Sequence, residues 1–206
     1  MMSYLQNSAL IEMSISCSVV LMYCLQQLFR STFPMILRIA LIVILGNAFF
    51  WPLGFAMALP LAAYVRGVTG DLSIVTTLLL WSSVIGSAKP CPNGFKVFIV
   101  ALALLFYPFA LGLGMIDPYA WGYHSFILLL GVVCVAIVWG VAGWVRIVWI
   151  IALALMAWSV QWHESRNLWD YLFDPFLVFW ALGSLIQAWR YKRREKAQSG
   201  YLFRAG

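Results

Sequence analysis

The side chains able to do chemistry in this 206-residue sequence are few. They gather between long apolar runs: His124, His163, Glu164, Asp117, Asp170 and Asp174, with Arg66, Asp71 and Arg166 near them. A carboxylate beside an imidazole is the minimum equipment for general acid–base catalysis, and the same pair can begin a zinc or manganese shell. The first six are therefore the candidate catalytic residues, with His163 or His124 as base and Asp170, Asp174 or Asp117 as partner. Asp170 and Asp174 stand at i and i+4 and would share a helix face if the last apolar helix begins early. The spacing matches no catalytic motif: there is no His-Glu-x-x-His, no Gly-x-Ser-x-Gly and no phosphate-cradling glycine loop. Loop solvation and pairing of the Arg66–Asp71 kind account for most of the pattern, so no cofactor and no metal centre is expected.

The four cysteines, Cys17, Cys24, Cys91 and Cys134, form no C-x-x-C and keep no metal-ligand spacing with a histidine. Three lie in apolar runs, where a thiol packs as a small apolar group. Cys91 sits in the turn Lys89-Pro90-Cys91-Pro92-Asn93-Gly94 and is the thiol best placed to react. No structural disulfide is expected.

The elements that position these residues follow from composition. The chain is 64% hydrophobic and 10% charged, against about 25% charged in an ordinary soluble domain. A soluble fold of this size exposes too much surface to hide that apolar content. A soluble enzyme, a disordered chain and a disulfide-rich secreted module are excluded, and an all-α, polytopic transmembrane helix bundle remains. A bilayer core about 30 Å thick takes about 20 apolar residues at 1.5 Å each. Six runs qualify as spans: 37–64, 72–88, 97–115, 124–144, 147–161 and 174–189. Punctuation separates them: Arg66-Gly67 with Gly70-Asp71, the turn 90–94, Asp117-Pro118, Arg146, and the polar stretch 161–170. Between the fourth and fifth, Gly140, Gly143 and Arg146 must make a tight hairpin.

Residues 9–29 are a candidate seventh span, interrupted by Glu12, three serines and Gln26-Gln27. They could cross the membrane or lie at its interface as an amphipathic helix. No basic region precedes them as in a signal peptide, and Met35 could also be the start. The chain thus divides into an N-terminal segment (1–35), a transmembrane bundle (36–189) and a basic tail (190–206).

Alternating the six spans places eleven of the thirteen basic residues on one side, leaving Arg66 and Arg166 on the other with Asp71, Asp117, Glu164, Asp170 and Asp174. Lys and Arg accumulate on the cytoplasmic side of spans. The expected setting is the plasma membrane, most simply a bacterial inner membrane, with the C-terminus cytoplasmic. The net charge of +6 is concentrated locally, with five basic residues between Arg190 and Lys196. That tail suits anionic lipid headgroups rather than nucleic acid.

The first span is interrupted by Gly46, Asn47, Pro52, Gly54 and Pro60, so kinks are expected near both prolines. Broken helices of this kind line substrate sites in transporters. Phe106-Tyr107-Pro108 in the third span faintly echoes Phe50-Trp51-Pro52. The apolar interior is expected to hold no buried Asp, Glu, Lys or Arg, which counts against ion-coupled transport. Asn47, Thr76, Thr77, Ser82 and Ser83 are expected to hydrogen-bond between helices. Small residues four apart (Gly54/Ala58, Ser82/Gly86, Ser83/Ser87, Ala110/Gly114, Ala136/Gly140) allow close helix packing within the chain or between copies. Trp121, Trp162 and Trp169 suit an aromatic belt, while deeper indoles such as Trp81 need partners.

Three function classes follow. The first is a non-catalytic accessory or assembly component docking on a membrane-protein partner or a second copy, favoured by the absence of motifs and buried charge. The second is a transporter or permease for a small or lipid-like solute. The third is an enzyme acting on a lipid-linked substrate at the outer face.

Overall fold

The computed structural model describes residues 2–52, 58–84, 90–123 and 126–202, with side chains described from 6 to 196 within those ranges. Gly54, Gly86, Ser87, Lys89, His124 and Arg204 lie outside the described residues. Every regular element among them is helical: α1 (Met2–Phe29), α2 (Met35–Phe50), α3 (Leu61–Thr69), α4 (Ile74–Ser82), α5 (Asn93–Ala110), α6 (Phe126–Val141), α7 (Val145–Ser159), α8 (Trp169–Leu172) and α9 (Pro175–Leu202). The fold is all-α.

Three helical stretches are long and apolar enough to cross a membrane: Gln6–Phe29, Asn93–Ala110 and Trp169–Lys196. The first lies in the N-terminal segment that the sequence left between spanning and interfacial. The helices α2, α6 and α7 are apolar but hold 16, 16 and 15 residues. Each is therefore about 24 Å long or less. Only nine residues of the run 72–88 are described as helix, in α4.

The first predicted span is broken outright rather than kinked. Trp51 precedes a proline and is extended (φ −92°, ψ 144°), so α2 stops at Phe50. Helix resumes at Leu61 with Pro60 as its N-cap. Pro108, by contrast, sits inside the last turn of α5, so the echo between the two Pro segments does not extend to conformation.

The chain forms two compact units, one of Met1–Lys89 with Trp121–Asp174, the other of Pro90–Ala120 with Pro175–Gly206. In the first, α1 packs on α2, α3 and α4, while α4 also meets α7 and α8, and α7 meets α6. Ala9, Met13, Val19 and Met22 bury one side of α1. Ser14 and Ser18 satisfy their buried hydroxyls on carbonyls one turn back, Leu10 O at 2.7 Å and Ser14 O at 2.6 Å. A Cβ on Gly46 of α2 would stand 3.7 Å from Ser18 Oγ, so small residues set this approach. The outward faces are apolar: α2 buries no residue and α6 only Trp139.

The expected tight hairpin is present. The helix α6 ends at Val141, Gly143 takes φ +79° and α7 begins at Val145. Arg146 then donates to Ser82 Oγ at 2.6 Å, and Arg38 donates to Phe33 O at 2.7 Å and Val84 O at 3.2 Å. These basic groups lie at the Ser82 end of α4, while Arg66, Asp71, Glu164 and Asp174 gather at its Ser73 end.

In the second unit, α5 packs on α9. Phe95, Ile99, Ala103 and Phe106 repeat at helical spacing and form the buried face of α5. Lys96 Nζ lies 5.7 Å from the Trp180 ring, and the Arg193 guanidinium 4.5 Å from the Trp189 ring.

Candidate functional site: a buried Glu12–His163 pair

Ser8, Glu12 and Ser16 recur every four residues and so share one face of α1. That face meets α4 and the segment following α7. Glu12 is only 7% exposed, which corrects the expectation of an interior without charge. A buried carboxylate persists only where its oxygens are hydrogen-bonded, and those of Glu12 are. Thr77 donates to Oε1 at 2.8 Å, the Trp162 indole donates to Oε2 at 3.1 Å, and His163 Nε2 lies 3.3 Å from Oε2. One turn further along α1, the Trp81 indole donates to Ser16 Oγ at 3.1 Å.

A second ring of contacts fixes His163. The Tyr171 ring stacks on the imidazole with centroids 4.9 Å apart and an interplanar angle of 21°. The His163 backbone N–H donates to Tyr171 Oη at 3.0 Å, and that hydroxyl donates to Ser165 O at 3.0 Å. His163 Nδ1 is buried with no hydrogen-bond partner among the described residues. The stacking and backbone bonds thus hold the imidazole with Nε2 turned to the Glu12 carboxylate.

Glu12 borders two cavities. The larger, about 340 Å³, lies between α1, α4 and α7, and its lining includes Ile11, Glu12, Thr77, Trp81, Leu153 and Trp162. Ile11, Leu153 and Trp162 are exposed at its rim, so this cleft opens on the flank of the helices. The smaller, about 10 Å³, lies among Ala9, Glu12, Met13, Ser16, Asp71 and Leu72, room for about one water molecule. A further groove of about 350 Å³ between α1 and α2 is lined by Ile15, Ile42, Val43 and Phe50, and its polar residues include Ser14 and Asn47. Both of these bond to carbonyls of their own helices, and none of the described residues lining that groove is ionisable.

Near the smaller cavity, Arg66 grips Asp71 with two bonds, Nε to Oδ1 at 2.5 Å and Nη2 to Oδ2 at 2.9 Å, and its Nη2 lies 3.5 Å from Glu164 Oε1. Burial alone would push the Asp71 carboxyl up. The Arg66 hydrogen bonds and charge outweigh it, with His163 acting in the same direction, and hold the group below its usual range. The same pairing raises the Arg66 pKa further, against a smaller opposing effect of burial.

The six predicted catalytic residues do not converge. His163 is in the buried site, but its carboxylate partner is Glu12 and none of the predicted aspartates. Glu164 is exposed in the Arg66 cluster. Asp170 accepts from Ser165 Oγ, and Asp174 accepts from the Ser73 backbone N–H at 2.6 Å where α4 begins. These two aspartates share no helix, because α8 ends at Leu172 and Phe173 is extended before Pro175. Asp117 belongs to the second unit and accepts from Tyr119 N at 2.9 Å in its own turn. His124 lies outside the described residues. Among the described residues, no three His, Cys, Asp or Glu side chains could share a metal ion, and the four cysteines are free thiols. The signal that could have found the site was Glu12 itself, a lone acid in an apolar run.

No protein-family model, no curated protein and no solved structure matches the chain.

Proposed function

We propose that the chain is a multi-pass membrane protein that binds and carries a small amphipathic solute, with Glu12 forming the polar end of the site. One observation carries the reading: a buried carboxylate, held by Thr77, Trp162 and His163, forms part of the wall of a mostly apolar cleft that opens sideways. A buried ionisable group costs several kcal/mol unless it is partnered, and a cleft that keeps one in its wall has a use for its charge. The cleft falls in the size range of small-molecule sites, about 300–1,000 Å³. The reading as an accessory or assembly component drew support from an interior free of charge, and Glu12 withdraws that support. The outer-face enzyme was expected to use His163 or His124 with Asp117, Asp170 or Asp174, and His163 bonds none of these; its carboxylate partner is Glu12.

The setting that suits this function is the plasma membrane, most simply a bacterial inner membrane. The shorter apolar helices would cross alongside the three long ones as the six or seven spans expected from the sequence. The Arg38–Arg146 end of the first unit would face the cytoplasm, and the 190–196 tail would meet anionic headgroups.

The test uses cells producing the chain or its Glu12→Gln variant at equal membrane levels, loaded with ethidium or N-phenyl-1-naphthylamine. Accumulation of at least one probe should differ from control cells, and Glu12→Gln should abolish the difference. If neither probe distinguishes producing from control cells, carriage is ruled out. A stoichiometric protein partner indifferent to Glu12→Gln would instead restore the accessory reading.

A further inference from the structure

The geometry points to a hydrophobic monocation as the ligand of the cleft, competing with a proton for the Glu12 carboxylate. This rests on the carrier reading above and names its solute class. Among the described residues lining the cleft, Glu12 is the one ionisable side chain, so a bound anion would meet repulsion and a neutral ligand would bring no counter-charge to the carboxylate. A single positive charge balances it. The rest of the wall suits the body of such an ion. Trp81 and Trp162 line the cleft with their N–H groups committed to Ser16 and Glu12, and the face of an indole attracts cations. Ile11, Ile74, Leu78 and Leu153 supply apolar contact.

When the cation leaves, a proton can take its place on the carboxylate, and a small cavity borders Glu12 apart from the cleft. It joins Glu12 to Ser16 and Asp71 with room for about one water. Protonation of Glu12 takes a proton from solvent hydronium, leaving water and forming one O–H bond on the carboxylate. Cation binding breaks that bond and returns the proton to solvent water, one for each cation taken up. The titratable and charged groups around Glu12 are His163, Tyr171 stacked on it, and Asp71 with Arg66 and Glu164. The helix α4 contributes no titratable group, and the one charged residue of α2, Arg38, bonds at the far end of α4.

The experiment is equilibrium dialysis and calorimetry on the full chain in nanodiscs, with methyltriphenylphosphonium as cation and N-phenyl-1-naphthylamine as neutral probe. The cation should bind more tightly as the pH rises, approaching tenfold per pH unit where Glu12 is protonated, with up to one proton released per cation. Glu12→Gln should weaken cation binding at least a hundredfold and remove the pH dependence. The wild-type pH series and proton count stand even if that variant folds poorly. Binding of the neutral probe alone overturns the cation class and leaves the carrier reading intact. Cation binding without proton release overturns the competition. Binding of neither probe by correctly inserted protein defeats both readings.

Discussion

At the scale of single residues, partners decide what pH and substitution do. The native carboxyl of Asp71 titrates below its unfolded value, so its contribution to stability is fully present above about pH 4 and is lost as the pH falls through the lowered native value. Asp71→Asn should therefore lower stability at pH 7 by about 0.5–1 kcal/mol, the worth of a good surface ion pair. Unfolding in detergent should show that gap closing towards pH 3, and a gap that persists there would place the effect in packing rather than charge. Gly122 makes a second case. Its carbonyl accepts from Leu168 N at 3.1 Å, and a Cβ on it would overlap the Asn167 amide and stand 2.8 Å from Trp169 Cδ1. Gly122→Ala should cost about 1–3 kcal/mol, as overpacking does, measurable as a drop in Tm. Arg66–Asp71 was legible in the sequence because its partners are five residues apart across a turn. Glu12 was not, because Thr77 and His163 come from far along the chain and only folding brings them to it.

At the scale of elements, glycine and proline marked helix ends well, and apolar length alone marked them poorly. Proline at 52 and at 60 broke the longest run, and Gly143 let α6 turn back into α7. The central place of α1 was hidden for a physical reason: its Glu12 and serines count against a span until Thr77, Trp162 and back-bonded carbonyls satisfy them. The contrast between two glycines tests these assignments. Gly143 holds a left-handed φ of +79°, which an L side chain enters at a cost of about 1–2 kcal/mol. Gly131 lies inside α6 with nothing within 4 Å of a built Cβ, where alanine gains up to about 1 kcal/mol of helix propensity. Gly143→Ala should lower the thermal midpoint and Gly131→Ala should raise or preserve it. A reversed order would mean that the hairpin between α6 and α7 is not at Gly143.

At the scale of the whole molecule, orientation rests on charge. Within the first unit, Arg38 and Arg146 bond at the Ser82 end of α4, and the acidic cluster with Arg66 sits at its Ser73 end. This is the separation expected when basic groups stay on the cytoplasmic side. The stretch Trp169–Lys196, which contains an apolar window long enough to span, supplies an independent test, since one crossing there must put its two flanks in different compartments. Alkaline phosphatase joined after Arg166 should be active and joined after Gly206 inactive. The reverse pair would keep the crossing and invert the orientation. Equal activity at both sites would remove the crossing itself.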